Sequence, residues 1–439
     1  MMGDGILPVM FLSLVLLMLT GAPLAFVLGL IAFTITIVAW GPGALIVAVL
    51  NTFETMTSDA LMAIPLYVLM ATILQRSGII EDLYAAMEKW FGNLRGGLAF
   101  GTIIICTIMA AMTGVVGAAV AAMGILALPS MLRRRYNTPL SLGAICAGGT
   151  LGILIPPSVV TIVYAITAQI SIGKMFIAGV VPGLILATAY CAYILIRAWI
   201  NPDLAPAPED AANVSLREKV LALKSLVLPF FVILSVLGSI YMGLATPTEA
   251  AAVGVIGTLV CAALTGQLRF RLLNDSAFET LRVTAMILWI TIGARAFISV
   301  FTATGGADSV LDLVRDLETG RWLVLAAMLL ILIFLGLFLD EIGIILLCVP
   351  VFLPIVHSLN FDPLWFGVLF LITAQMAYIS PPFGYTLFYL KGVLPPGIGI
   401  EQVYLGVIPF FLMQLAILVL FILFPDLVTW LPETLTEGH

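Results

Sequence analysis

The chain is 439 residues long, 62% hydrophobic and 10% charged, with a net charge of −6. Ordinary soluble domains carry roughly 25% charged residues, so no water-soluble fold could hide this much apolar surface, and no basic nucleic-acid surface is available. A polytopic, all-α membrane protein fits, because a hydrocarbon core of about 30 Å takes roughly 20 apolar residues per helix and such runs recur from residue 5 to residue 424.

In chain order, apolar runs at 5–20, 22–40 and 61–76 come first. Residues 1 to 5 contain Asp4 and no Lys or Arg, unlike a cleavable signal, so the first run reads as a retained helix. Ile79, Ile80, Leu83, Met87, Trp90 and Phe91 follow helical spacing, while Glu81, Asp82, Glu88 and Lys89 take the other face. That pattern suits an arm on the membrane surface or a plain amphipathic connector. Segment 97–130 differs: a small, polar-tinged centre, Thr113 to Ala118, divides it into two pieces of about 15 residues, each too short at 1.5 Å per residue to span comfortably. Lys89 and Arg95 precede it and Arg133, Arg134 and Arg135 follow it. With both ends cytoplasmic, a re-entrant hairpin is expected, against two tightly turned spans or one kinked span. Runs at 138–168 and 175–197 complete the first half.

A hydrophilic linker at 201–224, with Pro202, Pro206 and Pro208, separates the halves. The plan then repeats with runs at 225–242, 248–266 and 284–303. A second amphipathic stretch carries Val310, Leu311, Val314 and Leu317 on one face, beside Asp312, Arg315 and Asp316. A hairpin candidate at 322–356 follows, its tip near Leu337 to Glu341, and runs at 363–393 and 403–424 end the series. Around this hairpin Asp308, Asp312, Asp316 and Glu318 outnumber Arg315 and Arg321, so it is expected to enter from the opposite side. This path puts 14 of the 18 Lys and Arg residues inside, leaves Arg295 within a span and places both termini in the periplasm.

Two proline pairs stand inside apolar runs, and Pro381-Pro382 repeats Pro156-Pro157 at a fixed offset between the halves. Pro354 repeats Pro129 at the same offset, and Pro247 repeats Pro23 one position short of it. Proline withdraws a backbone donor where lipid offers no replacement. The chain therefore reads as two inverted-topology repeats, 1–200 and 225–439, each with a hairpin and a broken helix (138–168 and 363–393). Paired discontinuous helices of this kind point to the binding site of a secondary transporter. In the breaks, Gly148 to Ser158 and Thr373 to Gly384, released carbonyls suit a cation and restarted helix ends suit an anion.

Arg295 either receives a substrate carboxylate on its forked guanidinium or pairs with an acid such as Asp340 or with break carbonyls. Asp340 and Glu341 are cation ligands or helix caps, and Glu249 in Thr246-Pro247-Thr248-Glu249 reads as a cap. The five cysteines lie in apolar runs without a CxxC, and His357 and His439 are too far apart for a metal centre. The missing GxxxxGK[ST] loop argues against direct ATP drive, and the missing triad against an intramembrane enzyme.

Thr113 to Pro129, Gly148 to Ser158, Ser171 to Gly183, Thr246 to Ala252 and Ser380 to Gly384 together resemble the large M subunit of tripartite ATP-independent periplasmic (TRAP) transporters, over essentially the whole chain. The resemblance implies an elevator-type importer of organic acids (carboxylates) in the bacterial inner membrane. It implies sodium as coupling ion, no organic cofactor, and two partners: a small four-helix membrane subunit and a periplasmic substrate-binding protein. It places one sodium site at Thr113, Gly114, Gly152, Ile155 and Pro157, and a second at Asp340, Ala377, Ser380 and Pro382. Thr373, added to the second set, stands where the family pattern leads one to expect Asn, and the first tip is poorer in serine than in many members. Arg295, Ser158 and Thr113 are the candidate substrate contacts. The alternative within transport is a self-sufficient sodium/dicarboxylate or citrate-type symporter with a related hairpin plan.

Overall fold

The computed structural model describes residues 3–207, 215–316 and 320–436, and every regular element among them is a helix. Pro208, Leu317, Glu318 and His439 lie outside the described residues. The first half holds α1 (Gly3–Met18), α2 (Leu24–Trp40), α3 (Ile46–Met56), α4 (Ala63–Arg76), α5 (Ile79–Phe91), α6 (Gly97–Thr113), α7 (Val116–Arg133), α8 (Thr138–Thr150), α9 (Val159–Thr167) and α10 (Ile172–Ile200). A short α11 (Leu216–Ala222) leads into the second half: α12 (Lys224–Tyr241), α13 (Pro247–Leu264), α14 (Phe270–Ala303), α15 (Gly306–Asp316), α16 (Arg321–Leu335), α17 (Glu341–Ser358), α18 (Pro363–Ile379), α19 (Tyr385–Lys391), α20 (Ile400–Leu423) and α21 (Asp426–Thr436). Eight helices of the described residues are long and apolar enough to cross a bilayer by length and composition.

Local chemistry sets the helix starts. Asn137 accepts from the Leu140 amide at 3.1 Å, and Asp362 accepts from the Trp365 amide at 2.8 Å, each before a proline in the first turn. Thr246 and Glu249 form a reciprocal capping box around Pro247, the role read for Glu249 from its spacing. The side chains behind these caps are apolar nearly all round, so burial against other helices, not amphipathicity, orders the bundle.

Elements α2, α5, α6, α7, α8, α9 and α10 have counterparts, in the same order, in α13 and α15 to α20. Their starts run in step: Leu24 with Pro247, Val116 with Glu341, Thr138 with Pro363. Packing pairs the halves reciprocally: α2 lies along α14 while α13 lies along α4, and α7 rests on α19 while α17 rests on α9. The α8–α20 crossing is among the closest that helices can make, because a Cβ at Gly143 would strike the Gly406 carbonyl and one at Gly406 the Pro139 carbonyl.

The structure corrects four readings. The arms of the first hairpin, α6 and α7, are 17 and 18 residues, longer than the two pieces of about 15 residues read from the sequence, because α7 continues through Pro129 to its basic foot. Residues 46–56 and 426–436 are helical although neither is an element in the sequence reading; α3 is too short to register as a span, and α21 mixes Asp426 and Glu433 with its apolar residues. The run at 284–303 is the last part of a 34-residue helix whose earlier turns carry Arg271, Asp275, Glu279 and Arg282, with Arg295 on its apolar part. The linker contains a helical turn, α11, held by a Ser215–Glu218 capping box.

Candidate functional site

The two broken helices are built alike. In the first, α8 ends at Thr150, a single 3₁₀ turn covers Leu151–Ile153, and α9 restarts at Val159 behind Ser158. In the second, α18 ends at Ile379 and α19 restarts at Tyr385. Both Pro-Pro peptides, Pro156-Pro157 and Pro381-Pro382, are cis. Thr161 Oγ1 donates to the Ile153 carbonyl at 3.0 Å, and Thr386 Oγ1 donates to the Tyr378 carbonyl at 2.7 Å. Donor and acceptor keep the same offset as the proline pairs, so one threonine strut bridges both breaks, at about 1 kcal/mol per bond.

Each hairpin tip meets its own half's break. Gly114, at φ +57°, closes α6 in the left-handed region, and a Cβ there would lie 2.9 Å from the Ser158 Cα and 3.0 Å from the Pro157 carbonyl oxygen. Only glycine allows both the conformation and the approach. Gly152 faces the same tip, its Cβ position 3.6 Å from the Gly114 carbonyl carbon. Thr113, Gly114, Gly152 and Pro157 are thus brought together. Ile155 is nearby in the break, its side chain packed on Gly183 of α10. At the second tip a Cβ on Gly336 would strike the Ala377 side chain, and the Tyr378 hydroxyl accepts the Glu341 amide at 2.7 Å. Asp340 caps α17, accepting from the Gly343 amide at 3.3 Å.

The breaks differ in what they leave unused. Among the described residues no hydrogen bond reaches the carbonyls of Gly152, Ile155 or Pro157. In the second break the Ala377 carbonyl accepts from the Ser380 amide, the Ser380 carbonyl from the Gly384 amide at 2.9 Å, and the Pro382 carbonyl from the Tyr404 hydroxyl at 3.0 Å. Site 1 therefore offers unpaired neutral oxygens. Site 2 offers second lone pairs plus one carboxylate. The side chains have local duties too: Thr113 donates to Met109, Thr373 to Leu369, Ser380 to Met376, and Ser158 to Ile153 while capping α9. No cluster of three His, Cys, Asp or Glu suited to a transition metal is found among the described residues.

The first break also matches the core in length. Its pieces, 13 and 9 residues, rise about 20 and about 13 Å at 1.5 Å per residue, together about one hydrocarbon core.

Arg295 stands apart from these oxygens. Its guanidinium is 3.4 Å from Glu54 of α3, not beside Asp340. The pair lines a cavity of about 260 Å³ with Thr167 and Gln169 at the end of α9, Thr291 of α14, and Leu346 and Pro350 of α17; neither Thr113 nor Ser158 borders it. Sequence reading missed Glu54 because residues 42–56 are too short a run to count as a membrane element.

Residues 11–427 match the family described as tripartite ATP-independent periplasmic transporter, DctM component. The chain is 33% identical over 404 residues to the C4-dicarboxylate TRAP transporter large permease protein DctM of Pseudomonas aeruginosa, across 91% of this chain and 92% of that one. It is 31% identical over 419 residues to the isethionate TRAP transporter permease protein DctMQ of Oleidesulfovibrio alaskensis, across 94% of this chain and 64% of that one. Its backbone also superimposes on the solved YdaH transporter of Alcanivorax borkumensis with a TM-score of 0.64, over 97% of this chain and 99% of that chain at 14% identity, a likeness of fold.

Proposed function

Because the chain belongs to the DctM-component family of tripartite ATP-independent periplasmic transporters, we propose that this transport subunit carries a small organic acid across the bacterial inner membrane on a sodium gradient. It takes the acid from a periplasmic binding protein and works beside a small four-helix membrane subunit. The two relatives are named for C4-dicarboxylate and isethionate, both small organic anions, which supports an anionic cargo.

The observation that carries the reading is the glycine tip seated on an open break. Gly152, Ile155 and Pro157 present unpaired carbonyls beside Thr113 and Gly114, an all-oxygen, neutral environment suited to a hard monovalent cation. Asp340, with Thr373, Ala377, Ser380 and Pro382, is the second proposed cation site. The N-terminal ends of α7 and α9 lie at the first tip and that of α17 at the second, and they favour a negative cargo, with Ser158 and Thr113 as contacts. Arg295, beyond the far end of α9, is proposed to receive the carboxylate as it enters. The halves 1–200 and 225–439 act as inverted repeats with both chain ends periplasmic, and the hairpins with the broken helices move as an elevator against the remaining helices.

Proteoliposomes holding this chain and the small subunit, supplied with binding protein and a panel of radiolabelled acids, test the proposal. Uptake should require an inward sodium gradient. Equal uptake without the gradient ends the coupling, and uptake by this chain alone favours a self-sufficient symporter.

A further inference from the structure

The cavity of about 260 Å³ at Arg295 lies between α3 and α14 on one side and α9 and α17 on the other. Its charged lining residues are Arg295 and Glu54, 3.4 Å apart, and they cancel. A cargo carboxylate arriving there shares the guanidinium with Glu54 or takes it over. A second carboxylate on the same molecule would meet Glu54 in a confined space that holds no further cation, and like charges at that range repel.

The polar, uncharged lining is biased in a second way. Thr167 Oγ1 donates to the Val163 carbonyl at 2.7 Å, and Thr291 Oγ1 donates to the Ile287 carbonyl at 2.8 Å. Each hydroxyl proton is thus committed to the helix backbone, and what remains for the cavity is lone pairs. Glu54, as a carboxylate, also only accepts. Arg295 therefore faces a set of acceptors, which suits a cargo whose remainder carries hydrogen-bond donors.

Gln169 adds an independent observation. It follows the end of α9 at φ +55°, in the left-handed region that glycine adopts freely and a branched backbone carbon adopts at a steric cost. Among the described residues no hydrogen bond engages its side-chain amide. What glutamine offers over glycine at this turn is an amide at the cavity, and a backbone outlier beside a polar cavity points to a role there.

We propose that this cavity selects the cargo by charge and by hydroxyl content. A hydroxylated monocarboxylic acid is accepted, its carboxylate on Arg295 and its hydroxyls on Thr167, Thr291 and Gln169, while Glu54 disfavours dicarboxylic acids. The proposal rests on the reading of Arg295 as a contact for the entering carboxylate.

The test measures direct binding to the full chain purified with its small subunit, without the binding protein, so that selection by that protein does not enter. Three probes of equal carbon count serve: gluconate, with one carboxylate and hydroxyls; glucarate, with a second carboxylate; and hexanoate, with one carboxylate and no hydroxyl. Gluconate should bind tightest. Glucarate should be about fivefold weaker, as for two unit charges about 4 Å apart in water, and hexanoate weaker by about the same factor for its missing hydrogen bonds. Glu54→Gln keeps an acceptor without the charge and should close most of the glucarate gap. Thr291→Val combined with Thr167→Val should remove gluconate's advantage over hexanoate. Glucarate binding as tightly as gluconate, a glucarate gap indifferent to Glu54→Gln, or no binding of any probe overturns the proposal. Should the variants fail to fold, the order of the three probes on the unaltered chain decides. Sodium-indifferent uptake together with the expected order would count against the transport reading alone, and affinities unchanged by Arg295→Lys would overturn the carboxylate contact and this selection with it.

Discussion

At the foot of hairpin 1, Arg134 donates to Glu88 and to the Gly92 carbonyl, both at 2.7 Å, and so bolts α7 to α5. The second-half counterparts of Glu88 and Arg134 are Leu313 and Leu359, which can make no such bond. Hairpin 2 is fastened at its tip by the Tyr378 hydroxyl and bordered along its shaft by an open groove; hairpin 1 is fastened along its shaft, and its tip is seated by close packing of Gly114. The breaks diverge in parallel, one leaving neutral carbonyls free, the other satisfying them and adding Asp340. The comparison teaches that the two halves share a backbone path, while their side chains fasten the first hairpin at its foot and the second at its tip, and give only the second tip a carboxylate.

The largest effect should come from breaking the tighter contact. Gly114→Val would cost about 1–3 kcal/mol for a branched residue in the left-handed region and a similar amount for overpacking against Pro157 and Ser158. Sodium-driven uptake should fall to background while the protein still inserts. Leu339→Val, the matching position in the second tip, should lose only about 1 kcal/mol for its missing methylene and keep transport. Equal losses in the two uptake assays would mean that the tips are equivalent.

Asp340→Asn addresses the charge difference. Asparagine caps a helix about as well as aspartate, so α17 should persist, but site 2 loses its anion. The sodium concentration for half-maximal uptake should rise about tenfold, which is about 1.4 kcal/mol. An unchanged sodium curve would remove Asp340 from the ion sites.

Much of this asymmetry was illegible in the sequence, and the reasons are physical. The proline pairs and their constant offset announced the breaks because proline acts locally on its own backbone. The reach of Gly114 to Ser158 and Gly152 was legible only through the family resemblance, since tertiary proximity between distant segments leaves no local mark. Which carbonyls remain unpaired depends on Tyr404 and Ser380, which no spacing rule connects to Pro382 and Ala377. Arg295 was visible as a costly intramembrane charge, but its partner was not, because Glu54 belongs to a helix shorter than a bilayer.

Arg134→Ala would sharpen the comparison more gently. It removes two bonds at a partly exposed site, where about 1 kcal/mol is expected. Thermal unfolding in detergent should show hairpin 1 destabilised by that amount, with protease access gained near Gly92. Removing hairpin 2's own fastening by Tyr378→Phe leaves the Glu341 amide without its acceptor, about 1–3 kcal/mol, and protease access should be gained at the second tip instead. A reversal of these two outcomes would assign each fastening to the wrong hairpin.

The smallest effect separates two roles for Arg295. Glu54 is 73% exposed on its side chain, so the ion pair should contribute at most about 0.5 kcal/mol, and Glu54→Gln should scarcely move the unfolding temperature. The consequence for transport is directional. If Arg295 receives the cargo carboxylate, Glu54 competes with that carboxylate for the same guanidinium, and its neutralisation should lower the KM for the acid while kcat stays constant. Arg295→Lys, which keeps the charge but loses the two-pronged fork, should then raise KM. If Arg295 only braces α14 against α3, both variants should leave KM where it was. Paired uptake curves for the two substitutions therefore show whether the one arginine within the second half's long helix that faces Glu54 serves the cargo or the scaffold.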